Sequence, residues 1–434
     1  TERDWSSDVC SSDLIINNDD TDPITTPFVD AGTNVTIANG ATFFVNGAPL
    51  KINYDGGTGN DVVLTYDQTP IINADNYLPI NNTITVERVG ANTVVKIGTT
   101  TVLDTPTANL TTLTINGQTG DDSLTIDRSG GNPIPSGGLF FNGDAHDTAT
   151  GDALNVIGGT ANTITYKPDD STGNNAKGTI DLDGSVITFT GLEPALISTS
   201  ANTIIIDMST LAAGDTVAVQ NDTTTAGRSE VLFTLATLED LQFTNPTNLL
   251  RIIGTAQSDV FNLNAMDPAF NANLTVSAGD GTDTINLAAK TGAGTYTLSG
   301  GDGTDTLTGP DLASTWNITG ANTGNLGAAG VVDFDTLENL TGGTNNDSFV
   351  IGSGGSLSGA ITGGGTGIDT LQQTDGANTW SITAAGNGTV TDVTGGFFGI
   401  ENIAGGSGVD LITFSGGSLT GTVDGGGGND TIDG

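Results

Sequence analysis

Hydrophobic residues in this chain come in short runs that alternate with polar residues and are separated by turns rich in Gly, Asn and Asp. In the C-terminal part such runs cover 306–307, 316–319, 348–351 and 360–362. Alternation over a few residues is typical of β-strands with one buried face. The best helix candidate, 235–243, is short, and its likeness to the later segment DFDTLENLTGG favours a strand. The pattern therefore predicts an all-β protein.

The C-terminal part is also periodic. A Gly-Gly-x-Gly-x-Asp pattern, sometimes degenerate, recurs at about 21 residues or about twice that spacing. It ends at Asp283, Asp305, Asp347, Asp369, Asp410 and Asp430. A unit of this length cannot bury an apolar face alone, whereas stacked units can. We therefore predict a parallel β-helix, or β-solenoid, over 249–434 with about 21 residues per coil and the six aspartates along one edge.

The remainder of the chain is less regular. Residues 1–14 contain DWSSDVCSSDL, which resembles a translated sequencing adapter, and we expect them to add nothing to the fold. Residues 15–66 form a β-rich segment, and residues 67–248 are either further solenoid or a small sandwich. The chain stops within a repeat motif, so we expect it to be a fragment of a longer protein.

The charge and composition of the chain limit the classes of molecule that it is expected to bind. The chain has 50 Asp and Glu against 10 Lys and Arg, a formal charge of −40, and 64 of its 434 residues are Gly. This charge repels phosphate backbones and anionic lipids, which argues against nucleic-acid binding. No apolar run approaches the 18 residues or more of a membrane-spanning helix, so no membrane insertion is expected in this fragment. Cations are the expected partners.

The Gly-rich turns favour calcium among the cations. Gly permits the tight turn, and Asp supplies the hard oxygen that Ca²⁺ prefers. One turn has too few ligands, but turns one coil apart could share an ion, which pairs Asp283 with Asp305, Asp347 with Asp369 and Asp410 with Asp430. The alternative is that Gly, Asn and Asp are simply what tight turns require. The absence of Lys and Arg after Lys290 favours bound cations.

Two resemblances extend this interpretation. The GGxGxD units, DGGGGNDTID above all, resemble RTX (haemolysin-type) calcium-binding repeats, although Asn345 stands where a third Gly is expected. Residues 15–66 resemble the strand-rich passenger segments of autotransporter-like surface proteins. These resemblances imply a piece of a large bacterial repeat protein that is secreted or held at the cell surface.

Other candidate residues are few. Trp316 and Trp380 occupy matching repeat positions and are either sugar-stacking platforms or core residues. His146 is either a solvated loop residue or a metal ligand, in which case its companions would be Asp144, Asp147 and Asp152. The chain has one His, and no credible Ser-His-Asp set is recognised around it.

The sequence thus predicts no enzyme but an extracellular structural or adhesive module. Its expected partners are Ca²⁺ and cell-surface glycans or other surface proteins. A β-helical polysaccharide-active hydrolase or lyase is the alternative.

Overall fold

The computed structural model describes residues 14–16, 36–56, 61–77, 81–145, 151–171, 177–192, 195–327 and 331–434. Trp5, Cys10, His146 and Asp147 lie outside these residues. The described chain is built from short strands and two single-turn 3₁₀ helices, Ala74–Asn76 and Thr107–Asn109. The predicted all-β fold is therefore confirmed.

The strands follow one another along the whole described chain. The first twenty are β1 Leu14–Ile16, β2 Thr42–Val45, β3 Ala48–Gly56, β4 Asp61–Tyr66, β5 Ile71–Asn73, β6 Thr83–Val89, β7 Asn92–Ile97, β8 Thr100–Pro106, β9 Leu113–Thr119, β10 Ser123–Asp127, β11 Leu139–Ala145, β12 Ala153–Ile157, β13 Thr160–Asp169, β14 Lys177–Leu182, β15 Ser185–Thr190, β16 Ala195–Ile197, β17 Ser200–Asp207, β18 Thr216–Asn221, β19 Arg228–Phe233 and β20 Leu241–Thr244. The others are β21 Leu249–Ile253, β22 Val260–Leu263, β23 Asn273–Gly281, β24 Thr284–Leu287, β25 Tyr296–Gly303, β26 Thr306–Thr308, β27 Thr315–Gly320, β28 Thr323–Leu326, β29 Val332–Asp335, β30 Asn339–Thr341, β31 Ser348–Ile351, β32 Ile361–Thr362, β33 Thr370–Gln373, β34 Thr379–Ala384, β35 Asn387–Val390, β36 Val393–Phe398, β37 Asn402–Ala404, β38 Leu411–Phe414, β39 Val423–Asp424 and β40 Thr431–Asp433.

The chain divides into two compact units. Unit 1 comprises Thr1–Thr160 and Thr179–Thr199, and unit 2 comprises Ala161–Gly178 and Ser200–Gly434. The predicted limit at 66/67 lies within unit 1, at the end of β4, and the predicted limit at 248/249 lies within unit 2, where the pairing of β17 with β21 crosses it. Neither limit coincides with the division between the units.

Unit 1 combines a small antiparallel sheet with parallel coils. The antiparallel sheet has the order β1-β4-β3-β2, and Leu14, inside the segment expected to add nothing, pairs with Leu64. Parallel pairs then join β5 to β9, β9 to β11 and β11 to β15 in one ladder, and β6 to β10, β10 to β12 and β12 to β16 in another. Of the two possibilities for 67–248, these pairings favour solenoid.

Unit 2 contains two parallel ladders, and one coil adds one strand to each. The first ladder takes β17, β21, β23 and β25, and the second takes β18, β22, β24 and β26. Like residues stack in register, for example Leu274 on Tyr296 and Val276 on Leu298. These side chains are fully or almost fully buried, so the core is a set of apolar columns between the ladders. The predicted solenoid is therefore present.

Three-stranded antiparallel inserts interrupt the coils of unit 2. β18–β20 and β34–β36 lie in the second ladder, and β27–β29 lies in the first. The chain passes through the middle insert in the order β27, β28, β29, but the ladder order is β25-β29-β28-β27-β31. The chain therefore forms β27 two positions beyond the place next to β25, and β28 and β29 then fill the two positions between them.

Both tryptophans belong to the core of unit 2. Trp316 on β27 and Trp380 on β34 are 0 % exposed. The Trp316 ring stacks on Phe349 with centroids 5.5 Å apart, and Trp380 meets Phe397 edge-on at 6.1 Å. Of the two interpretations, the core position is correct and the sugar platform is wrong, because neither ring can be reached from solvent.

Candidate functional site

Each of the six predicted aspartates ends a turn and immediately precedes a strand. Asp283, Asp305, Asp347, Asp369 and Asp410 are at most 2 % exposed, and Asp430 is partly exposed. Burial of so many carboxyl groups needs a compensating contact, since an unpaired buried charge is costly. That contact is a backbone N–H from the neighbouring coil.

The predicted pairs do lie on neighbouring coils. The Asp283 N–H donates to Asp305 Oδ1 at 2.7 Å, the Asp347 N–H to Asp369 Oδ1 at 2.8 Å, and the Asp410 N–H to Asp430 Oδ1 at 3.0 Å. In every pair the carboxyl group of the later coil accepts the backbone N–H of the earlier aspartate.

The prediction that all six lie along one edge is wrong. Asp283, Asp305, Asp410 and Asp430 stand where the chain crosses from the first ladder to the second, before β24, β26, β38 and β40. Asp347 and Asp369 stand at the opposite crossing, before β31 and β33. The physical cause is the insert β27–β29, which adds two extra strands to the first ladder and none to the second. The aspartates that follow this insert therefore stand at the opposite crossing.

The pairs belong to longer columns, which we call acidic stacks A, B and C. In stack A the hydrogen bonds also run from the Asp215 N–H to Asp259, from Asp259 to Asp283 and from Asp305 to Glu338. Stack B starts at the Ser314 N–H on Asp347 and ends at Asp369 on Glu401. Stack C starts at the Asn378 N–H on Asp410. The members are Asp215, Asp259, Asp283, Asp305 and Glu338 in A, Ser314, Asp347, Asp369 and Glu401 in B, and Asn378, Asp410 and Asp430 in C.

Unit 1 has a shorter column of the same kind. The Asn82 N–H donates to Asp122 Oδ1 at 2.5 Å, and the Asp122 N–H donates to Asp152 Oδ1 at 2.6 Å. Asp152, expected as a possible companion of His146, is thus engaged with the backbone of a neighbouring coil.

Glu338 and Glu401 are the functional residues that motif spacing missed. Each stands directly before a strand, β30 or β37, in the position that aspartate holds elsewhere. Each follows an insert instead of a Gly-rich turn, and each accepts an aspartate N–H at 2.8 Å. The signal was present in the sequence, because LENLTGG and IENIAGG are copies of one another.

The glycine that opens the motif makes room for the carboxyl group. A Cβ on Gly300, Gly342, Gly405 or Gly425 would come within 3.0 Å of the aspartate five residues later. The same Cβ would also press on a neighbouring carbonyl oxygen at Gly300, Gly342 and Gly405. Asn345, where the third Gly is expected, does not have a positive φ, and its side chain donates to the Asp311 carbonyl at 2.8 Å.

The second carboxyl oxygen distinguishes the aspartates from one another. Asp259 Oδ2 accepts the Thr255 N–H at 2.7 Å, and Asp347 Oδ2 accepts the Gly343 N–H at 2.8 Å. Oδ2 of Asp283, Asp305 and Asp410 is buried and accepts no hydrogen bond from the described residues.

Burial changes the acidity of the stacks. Desolvation is the main cause that raises the pKa of Asp283, to about 6, while the Asp259 N–H opposes the rise and the charges of Asp305, Asp259 and Asp280 add to it. Desolvation likewise raises the pKa of Asp259, Asp305, Asp347 and Asp369. These five aspartates of stacks A and B therefore hold protons more tightly than ordinary carboxyl groups do.

The predicted calcium ligands already have backbone partners in the structure. Ca²⁺ takes six to eight oxygen ligands. No group of three or more His, Cys, Asp or Glu side chains converges within the part of the chain that the structure describes. In each of the six predicted ligands, Asp430 included, Oδ1 already accepts a backbone N–H.

Fold and site together define the class of the chain as a parallel β-solenoid whose coils are joined by buried acidic stacks. Neither a scan against protein-family models nor a search of curated proteins found a match. Within the described residues, no helix has the length and apolar character needed to span a membrane.

Proposed function

We propose that this chain is an extracellular structural or adhesive module, a stack of β-coils that carries or displays neighbouring parts of a surface protein. The observation that supports this most directly is the way each coil bonds to the next. Backbone ladders, apolar columns and acidic stacks all run from coil to coil in unit 2. Such nearest-neighbour bonding is the property of solenoids used as extended scaffolds.

A polysaccharide-active enzyme has less support. It would need an aromatic and acidic patch that does not repeat from coil to coil. The two repeated tryptophans are in the core, and the repeated aspartates accept backbone N–H groups. The most regular features of the sequence are therefore explained by coil stacking.

The test incubates the full chain with soluble and insoluble surface polysaccharides. The proposal expects either retention on a surface or no binding, in both cases without release of new reducing ends. Release of reducing ends that follows the chain through purification would overturn it in favour of the enzyme.

Calcium binding stays a prediction, and it can be tested separately. Replacing Asp410 by Asn keeps an oxygen that can accept the Asn378 N–H but removes the charge. Specific binding predicts that Asp410→Asn reduces the gain in Tm on adding Ca²⁺, whereas Asp375→Asn, an exposed change outside the stacks, does not. For one specific site, the free energy of unfolding of the wild type is expected to rise by about 2.7 kcal/mol at a hundredfold excess of Ca²⁺ over Kd. Equal effects in both variants, or an equal gain with sodium at matched ionic strength, would show that charge screening alone is responsible.

A further inference from the structure

Unit 1 contains a cleft of about 1300 Å³ that is bounded by its antiparallel sheet and by its first parallel coil. β2 and the turn after it form one wall, β5 with the following 3₁₀ helix forms another, and part of β8 completes the lining. Two contacts hold these walls together. The Thr42 hydroxyl donates to Asp67 Oδ2, and the Asp104 N–H donates to the Gly47 carbonyl at 3.0 Å. The cleft is larger than the about 300 to 1,000 Å³ of typical small-molecule pockets, which favours an extended ligand.

The strand β5 has one free edge. Among the described strands it pairs with β9 alone. The Thr114 N–H of β9 donates to the Pro70 carbonyl at 3.0 Å, and neighbouring residues of a strand face opposite sides. Pro70 and Ile72 therefore face β9, whereas Ile71 and Asn73 direct their backbone N–H and C=O groups away from it.

The strand β2 also has a free edge at the cleft. It pairs with β3 alone among the described strands, and the Ile52 N–H of β3 donates to the Ala41 carbonyl at 3.2 Å. Thr42 and Phe44 therefore face away from β3. No described residue supplies a hydrogen-bond partner for the outward backbone groups of β2 or β5. Such rows of unpaired N–H and C=O groups are templates for another strand.

The side chains of the cleft narrow the chemistry of that strand. Ile71 is 51 % exposed, so β5 offers an apolar side chain beside its free edge. Among the described residues of the lining, Lys51 is the one cation, and it stands against the three carboxyl groups of Asp67, Asp75 and Asp104. The cleft therefore complements an extended peptide whose side chains are apolar and basic.

We propose that this cleft binds an extended, basic peptide segment of a partner protein, which pairs through its backbone with the free edge of β5. The peptide adds one strand to the ladder that β5 begins, and this is a general mode of peptide recognition by sheet edges. Its apolar side chains lie against Ile71, and its basic side chains face the carboxyl groups of the cleft. The inference concerns unit 1 alone and goes beyond the proposed function, because it holds for a purely structural module as well as for an adhesive one.

The test titrates the full chain into a fluorescein-labelled peptide in which Val alternates with Lys and Thr, and it follows binding by fluorescence anisotropy. The control probe is the same peptide with a methyl group on every amide nitrogen, which keeps the side chains and the charge but removes the N–H donors. Saturable binding of the first peptide is expected, with affinity at least about tenfold weaker for the methylated one. Equal binding of the two probes would overturn the proposal, since attraction to the −40 charge of the chain would then explain it.

Two variants locate the site on β5. Ile71→Pro removes an N–H that faces away from β9, and proline is tolerated at such an edge. Ile71→Val is the matched control, because valine has as many side-chain carbons as proline and keeps the N–H. We expect about tenfold weaker peptide binding for Ile71→Pro and a change of less than about threefold for Ile71→Val. An equal effect of the two variants would contradict pairing through the backbone of β5.

Two further outcomes concern the ligand class and the folding of the variant. Circular dichroism shows whether Ile71→Pro keeps the wild-type fold, and if it does not, the methylated peptide decides the question on the wild type. The neutral oligosaccharide maltohexaose is titrated in parallel. Binding of maltohexaose without binding of the peptide would overturn the proposal in favour of a saccharide cleft, and binding of neither probe would overturn it outright.

Discussion

Replacing Gly405 by Ala tests the role assigned to the opening glycine of the motif. Gly405 is buried in the turn before Asp410. A Cβ there would come within 3.0 Å of Asp410 Oδ2 and of the Gly425 carbonyl oxygen on the next coil. The first neighbour is a carboxyl group already bonded to the Asn378 N–H at 2.6 Å, and the second is backbone. The carboxyl group cannot move without disturbing this hydrogen bond between coils.

The size of the loss follows from those two contacts. Inserting a methyl group into a packed site costs about 1 to 3 kcal/mol. If the Asp410 carboxyl group moves, the Asn378 N–H loses its acceptor, which costs about 1 to 3 kcal/mol more. We expect a loss of about 3 kcal/mol in the free energy of unfolding, which lowers Tm by about 6 to 12 °C for a unit of this size.

Gly427→Ala is the matched control on the neighbouring coil. Gly427 is exposed, and a Cβ there would meet nothing closer than 3.7 Å. Its effect should stay within about 0.5 kcal/mol. Both variants are measured by thermal and urea unfolding. If Gly405→Ala melts with the wild type, or if both glycine variants lose equal stability, steric protection of the carboxyl group is not the reason for this glycine.

Two further predictions concern the inserts. Trp380→Ala should lower the free energy of unfolding by about 3 to 5 kcal/mol, because it empties a fully buried site. Phe398→Ala, at a side chain that is 45 % exposed, should lower it clearly less. Similar losses for the two variants in urea unfolding would contradict the core assignment. Glu401→Asp should cost about 1 to 3 kcal/mol because the shorter side chain no longer reaches the Asp369 N–H, and Glu401→Gln should cost little because it keeps the acceptor. Faster amide exchange at Asp369 in Glu401→Asp but not in Glu401→Gln would identify that hydrogen bond, and equal exchange in the two variants would exclude it.

The sequence predicted the strands well where alternation was clear. The runs at 306–307, 316–319, 348–351 and 360–362 correspond to β26, β27, β31 and β32. The segment 235–243 contains no helix, and β20 begins within it. The inserts could not be predicted, because alternation of apolar and polar residues is the same in parallel and antiparallel strands. Two of the inserts did leave a signal, because STWNIT at 314–319 recurs as NTWSIT at 378–383, and these copies contain the starts of β27 and β34.

The candidate site was predicted in its pairs but not in its contacts. Regular spacing placed Asp283 beside Asp305 and Asp347 beside Asp369, because parallel coils bring equivalent positions together. Spacing cannot tell whether a carboxyl group faces an ion or a backbone N–H. That depends on the turn around it, where the opening glycine lets the carboxyl group lie against the backbone.

The inserts also explain why the acidic residues form separate stacks. Ser314 and Asn378 stand directly before β27 and β34, the first strands of two inserts, and each begins a new stack as an uncharged donor. Glu338 and Glu401 follow β29 and β36, the last strands of the same inserts, and each closes the preceding stack. The insert β27–β29 adds two strands to the first ladder, and the insert β34–β36 adds two to the second. The crossing used by the aspartates therefore changes at β27–β29 and changes back at β34–β36. Division of the carboxyl groups among three stacks limits how many like charges are buried in one column, which a single uninterrupted edge of aspartates would not do.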